Sequence, residues 1–279
     1  MKKRDRGCPS LGRLRGGDRV ASGLATAALS LLAGFISLPM IALILWTVNE
    51  NAWRAMATPE AREALLLSIR TTSVSMVIIV LVGTPAAYVL ARAEFPGKRT
   101  IDSLIDIPAV LPPSAAGIAL LLTFGRFGLV GQYLDVVGVT ISFTTAAVVI
   151  AEVFVASHFY VRQAAVGFAQ VRRDVEEAAM VDGANRFSVF ARVTVPLAFP
   201  ALVAGAVMAW ARALGEFGGT IIFAGSFQGV TQTIPLAIFA AFERDFDASV
   251  ALSVLVLGFA FTVILTVRYL SRRATEYEG

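Results

Sequence analysis

Long apolar stretches separated by short polar segments set the pattern of this 279-residue chain. A bilayer core about 30 Å thick needs about 20 consecutive apolar residues in a helix. Four runs of that length carry no charged residue: 20–48, 71–91, 107–125 and 248–267. Two more qualify with interruptions, 141–161 around Glu152 and His158, and 198–224 around Arg212 and Glu216. The pattern predicts an all-α, polytopic membrane protein with six transmembrane helices inside a domain of residues 20–270. A basic tail, 1–19, precedes it and a short tail, 271–279, follows. The basic start resembles that of a signal peptide, but the apolar run behind it far exceeds a signal core of about 7 to 15 residues, so it is read as a retained first helix. Pro39, Pro85, Pro108, Pro112, Pro113 and Pro200 predict kinks, which membrane helices tolerate when neighbours satisfy the freed carbonyls. The adjacent pair Pro112-Pro113 makes the third span the least regular.

Composition agrees with this pattern: 57% of residues are hydrophobic and 16% charged, a surface no water-soluble domain tolerates. Charge distribution then orients the chain. Seven Lys and Arg lie in the tail up to Arg19, three between the second and third spans (Arg92, Lys98, Arg99), five from Arg162 to Arg192 and three after Val267. The opposite side takes only Arg54, Arg62, Arg126 and Arg244, so the positive-inside rule puts both termini in the cytoplasm. The net charge of +4 reports this topology and calls for no nucleic-acid partner. The single cysteine, Cys8, forms no internal disulfide, and the single histidine, His158, cannot build a histidine-based metal site.

One polar segment interrupts the oily pattern on the cytoplasmic side: EEAAMVDGANRFSVFARVTVPL, residues 176–197. Residues 171–179 and 184–193 are helix-compatible, and Asp182-Gly183 reads as a turn between them. Small Ala178 and Ala179 beside Glu176 and Glu177 make a low-profile charged helix end, suited to a partner's cleft; a plain solvated loop is the alternative. Glu177-Ala178-Ala179, three residues, Gly183, nine residues, then Val193-Thr194-Val195-Pro196 resembles the EAA loop of ATP-binding-cassette (ABC) importer permeases. Valine at the two aliphatic positions is the one departure from that pattern. Further stretches, ARAEFPGKR (91–99), LPPSAAGIALLLTFGRFG (111–128), RALGEFGGTIIFAG (212–225) and TIPLAIF (233–239), are similar to the molybdate and tungstate permeases of that family. Sulfate and thiosulfate permeases share similar stretches. The resemblance runs from about residue 60 to 267 and leaves out the basic tail.

The resemblance implies a type I ABC importer permease in a prokaryotic plasma membrane, working as a homodimer. Two separate ATPase subunits would bind the coupling loops, and an extracytoplasmic oxyanion-binding protein would deliver the cargo. ATP and Mg would be held by the ATPase partner, with no cofactor and no metal in this chain, which carries no GxxxxGK[ST] phosphate loop. Glu177, Ala178, Ala179, Asp182, Gly183 and Pro196 are the implied coupling residues, with Gly183 permitting the sharp turn.

Charges inside spans are costly, about 2.5–3.5 kcal/mol at the bilayer centre on insertion scales, so Glu152, Arg212 and Glu216 should face protein or water. Arg212 and Glu216, four residues apart, share a helix face. They either lock the fifth span or respond to a passing dianion, with Gly215, Gly218 and Gly219 allowing bending or close packing. An arginine suits the many acceptors of a tetrahedral oxyanion, whereas a carboxylate repels it. The loop 225–247 is a landing surface for the binding protein or part of a gate, and Trp46 and Trp53 read as interface anchors. An intramembrane hydrolase using Glu152, His158 and Glu216 is the competing class, but no HExxH or GxSxG pattern supports it. A carrier that works without ATP would leave the EAA pattern unexplained.

Overall fold

The computed structural model describes residues 16–47 and 58–276. Cys8, Trp53, Arg54 and the basic residues before Gly16 lie outside the described residues. The chain divides into two units, 1–49 and 50–279. In the first, a single 31-residue helix, α1, spans Gly16–Trp46, about 46 Å at 1.5 Å per residue. Leu24, Leu31, Phe35, Leu38 and Leu45 are all exposed around it. A helix apolar on every side belongs in lipid.

The second unit begins with α2, Pro59–Arg92. Its start lies well before the charge-free run at 71, because the Thr58 hydroxyl accepts from the Ala61 amide at 3.3 Å and Pro59 opens the first turn. Pro85 sits inside α2 without ending it, and the chain leaves the helix at Ala93, ahead of Pro96. Next come α3, Lys98–Val110, and α4, Pro113–Phe124, bent by 117° from one another. The third span expected over 107–125 is therefore not one helix. Pro112 and Pro113 remove two amide donors in succession and hold their own φ, so the ladder stops at Val110 and restarts at Pro113.

After the short helix α5, Gly131–Val136, α6 runs over Thr145–Gln170, opened by the Thr144 hydroxyl accepting from the Ala147 amide. The expected end at 161 was set by the charge on Arg162. That charge is neutralised from α3: Arg162 donates through Nε to Asp106 Oδ1 at 2.6 Å and through Nη1 to Asp102 Oδ1 at 2.9 Å. The helix continues for more than two further turns. His158, also unexpected in a span, faces the same helix, with Nδ1 3.2 Å from the Ile105 carbonyl and 3.1 Å from Asp106 Oδ1.

Beyond α7, Arg173–Val181, α8 spans Arg186–Leu214. Within α8 a π-turn occupies Phe190–Thr194. The fifth span, expected over 198–224, thus starts twelve residues earlier and stops at Leu214; α9, Gly218–Phe223, is a separate short helix. Helix α10, Ile234–Phe242, packs on α2 and on α11, Phe246–Glu276. The Ile234 amide donates to the Ser68 hydroxyl at 2.8 Å, and Ile234, Leu236 and Ala237 are buried. This apolar stretch is thus built into the helix bundle. Five described helices are long and apolar enough to cross a membrane, and a sixth crossing arises when the bent pair α3–α4 counts as one.

Helix α6 forms the centre, packed on one side by α2 and on another by α8. Ala87, Ala156, Ala164 and Ala209 are fully buried there around Tyr160 and Phe168. Lipid tails are as apolar as leucine, so close van der Waals approach between small residues holds such helices together.

Candidate functional site

Two regions collect the residues singled out by the sequence. The first lies at one end of the bundle, where α2 ends, α6 ends and α8 begins. Asp174 and Glu176 in the first turn of α7 suit the positive end of the helix. Arg172 also hydrogen-bonds Asp174 and holds its exposed carboxyl below the usual carboxylate range, with burial opposing weakly.

The end of α7 explains the spacing of the motif. Asp182 is the last half-helical residue, and Gly183 follows at φ +93°. The Gly183 amide donates to the Met180 carbonyl and the Ala184 amide to the Ala179 carbonyl, each at 3.0 Å. This pair of bonds is the Schellman stop, which needs a residue in the left-handed region just past the cap. Asn185 then opens α8, its Oδ1 accepting from the Ser188 amide at 2.8 Å. A glycine four residues after Ala179 is thus dictated by the helix end itself.

Glu177, Ala178, Asp182, Gly183 and Pro196 are exposed, and Ala179 is half-buried. The second half of the segment does not form a loop helix ending at 193, as expected, but is the first part of α8. Its π-turn carries it without a break into Val195 and Pro196.

Glu176, expected with Glu177 to make a charged helix end for a partner's cleft, is instead buried and anchors this region. Glu176 is the one buried residue of α7. Its Oε1 lies 3.0 Å from Arg92 Nη2 and accepts the Thr194 hydroxyl at 2.7 Å. The same Arg92 nitrogen donates to the Val171 carbonyl at 2.8 Å. No spacing in residues 173–181 singles out Glu176: Met180, one turn further on the same face, is exposed, and the adjacent Glu177 looks alike.

The second region is a set of buried polar groups among the spans. Glu152, 2% exposed, accepts the Thr71 hydroxyl at 2.8 Å and the Ser75 hydroxyl at 2.6 Å, both from α2. Glu216, equally buried, sits in the break between α8 and α9. Its Oε1 accepts the Gly219 amide at 2.7 Å, and its Oε2 lies 2.8 Å from Arg212 Nη1, an ion pair out of line for a hydrogen bond. The structure thus pairs Arg212 with Glu216 at the end of α8 and holds Glu152 against the α2 hydroxyls.

The glycines of the break behave differently from one another. Gly215 has an ordinary φ of −87°, and a Cβ there would meet the Ala211 carbonyl oxygen at an ordinary 3.5 Å, so nothing there requires glycine. A Cβ on Gly218 would stand 2.6 Å from the Cβ of Pro113, and one on Gly117 would stand 2.8 Å from the Gly219 carbonyl oxygen. The break after α8 thus packs directly on the break before α4. Among the described residues no group of three or more His, Cys, Asp or Glu could hold a metal ion.

Residues 80–276 match the family described as binding-protein-dependent transport system inner membrane component. The chain is similar to the molybdenum transport system permease protein ModB of Mycobacterium tuberculosis, 45% identical over 233 residues, 84% of this chain and 88% of that one. It is 35% identical to the protein of that name in Escherichia coli K12 over 220 residues, 78% and 96% of the two chains. The probable sulfate transport system permease protein cysT of Chlorokybus atmophyticus is 31% identical over 246 residues, 87% and 86% of the two. A bacterial alginate ABC transporter, solved in complex with an alginate pentasaccharide-bound periplasmic protein, shares the fold at a TM-score of 0.73 and 16% identity, over 92% of this chain and 96% of that one. The MetNI methionine ABC transporter, in an inward-facing conformation, aligns at 0.60 and 17%, over 76% and 95%.

Proposed function

The chain belongs to the binding-protein-dependent transport system inner membrane components, as the multi-pass permease subunit of an ABC importer and not itself an enzyme, and we propose that its cargo is molybdate or tungstate. The observation that carries the cargo is the 45% identity to a molybdenum permease along most of both chains, against 31% to a sulfate permease. Two copies of the chain would enclose the path, two ATPase subunits would bind ATP and Mg, and an extracytoplasmic binding protein would deliver the oxyanion. Both termini would face the cytoplasm, as the Lys and Arg distribution supports.

Helix α7 is the docking element for the ATPase. Glu177 and Ala178 present a charged, low-profile face, and Gly183 stops the helix sharply before α8 begins. Closure of the ATPase pair moves α7 and with it the ends of the spans, switching the permease between inward-open and outward-open arrangements. In the path, the Arg212 guanidinium offers several donors to a tetrahedral dianion while Glu216 keeps the attraction shallow, so the ion is bound and released. Glu152 and the break at Gly215 border that passage.

The test is ATP hydrolysis by the permease in proteoliposomes with its ATPase and binding protein, in molybdate, tungstate or sulfate. Stimulation by molybdate or tungstate and not by sulfate is the expected result. Stimulation by sulfate alone would change the cargo, and no stimulation from an assembled complex would sink the importer reading.

A further inference from the structure

Helix α7 has little purchase on the rest of the molecule. Of its nine residues only Glu176 is buried. Along its flank an open cleft of about 410 Å³, lined by Gln170, Arg172, Val175, Leu197 and Pro200, lies between it and the part of α8 beyond the π-turn. Helix α7 also touches the first turns of α8 up to the π-turn, and Glu176 is the one buried side chain through which it reaches both α2 and α8.

That carboxylate joins elements far apart in sequence. Arg92, 84 residues away, is the last residue of α2; Thr194, 18 residues on, is the final residue of the π-turn that leads into the apolar part of α8. The Val171 carbonyl, gripped by the same guanidinium, belongs to the residue whose amide caps the end of α6 by donating to the Phe168 carbonyl. Thr194 is fully buried, and the Arg92 and Glu176 side chains are only 12% and 11% exposed, so water screens the junction poorly. A π-turn at such a point adds slack to the backbone ladder where the helix must follow a moving neighbour.

We propose that Glu176, Arg92 and Thr194 form a force-transmitting junction: Glu176 is the positioning residue through which displacement of α7 is delivered at once to the ends of α2 and α8. Its neighbour Glu177 faces outward to the ATPase, and Glu176 faces inward to the spans. One carboxylate receives the partner and the other passes the motion on. This inference rests on the coupling reading given above.

The variants Glu176→Gln, Arg92→Gln and the double change keep shape and remove the charge pair. Thr194→Val removes one hydroxyl bond with no buried charge left behind, and it remains informative if the charge variants fail to assemble. All are reconstituted as complete complexes with ATPase subunits and binding protein, and assembly is checked by co-purification. The readout is molybdate taken up per ATP hydrolysed, a ratio that loss of folded material does not move. A coupling free energy of ordinary size corresponds to about 5–150-fold, so each single charge variant should lower the ratio about tenfold and Thr194→Val less. The double variant should be no worse than either single, because the two groups form one link. Wild-type ratios in every assembled variant, or losses that multiply in the double, overturn the junction while leaving the importer reading intact. A wild-type complex that takes up no molybdate, tungstate or sulfate in response to ATP overturns both.

Discussion

Replacement of Gly183 gives a test whose magnitude follows from local geometry. Its φ is +93°, and a Cβ built there would meet nothing within 4 Å. Steric crowding by neighbours therefore contributes nothing, and the whole cost is backbone: about 1–2 kcal/mol for an L-residue held in the left-handed region. If the turn escapes that strain by rearranging, it gives up the two bonds from the Gly183 and Ala184 amides, each worth about 0.5–1.5 kcal/mol net. Either route arrives at about 1–3 kcal/mol, or about 5- to 150-fold in the fraction of permease whose α7 ends correctly. Asparagine enters the left-handed region more readily than alanine, and valine least readily. The affinity of nanodisc-held permease for its ATPase, measured by titration, should thus fall in the order Gly, Asn, Ala, Val, with membrane insertion unchanged. Equal losses for Asn and Val would falsify the φ argument, and wild-type affinity for Val would remove α7 termination from the docking step.

Three further outcomes follow from the same geometry. Gly117→Ala should lower the melting temperature measurably in detergent, at a cost of about 1–3 kcal/mol, because the added methyl meets the backbone of Gly219, which cannot step aside, whereas Gly215→Ala should leave it unchanged. Arg162→Met should free α3 from α6, seen as faster hydrogen exchange over residues 98–110, since Asp102 and Asp106 lose their shared partner. Glu152→Gln keeps one acceptor oxygen and puts an NH2 donor at the other position, where a rotated hydroxyl can accept, and should melt close to wild type, while Glu152→Leu leaves Thr71 and Ser75 only their weaker bonds to the Ser68 and Val149 carbonyls, at about 0.6 kcal/mol per lost bond; equal melting of the two variants would show that neither bond to Glu152 matters.

Hydropathy made the number of apolar runs legible but misplaced their ends, for two physical reasons. A charge-free window stops at Arg162 because sequence alone does not show Asp102 and Asp106 waiting on α3. It overruns Leu214 because the break at Gly215 to Phe217 has no proline to announce it. Pro112-Pro113 did announce irregularity, although the bend of 117° depends on how α4 packs against α9. In the polar segment Gly183 was readable as a turn because glycine is the default residue at a left-handed stop. Glu176 was not, since two adjacent glutamates look alike until one of them meets Arg92 across 84 residues.

Three of the polar partnerships described above share an order along the chain that bears on how the protein is made. Thr71 and Ser75 precede Glu152, Asp102 and Asp106 precede Arg162, and Arg92 precedes Glu176. During synthesis each later ionisable group emerges when the helix carrying its partner has already been made. Helix α6, which carries Glu152 and Arg162, is thus spared a solitary entry into lipid, where a charge at the bilayer centre costs about 2.5–3.5 kcal/mol on insertion scales. That order suits α2 and α3 to serve as an internal chaperone for α6, so a chain lacking residues 59–110 is expected to insert α6 less completely than the full chain by protease protection; equal protection would refute it.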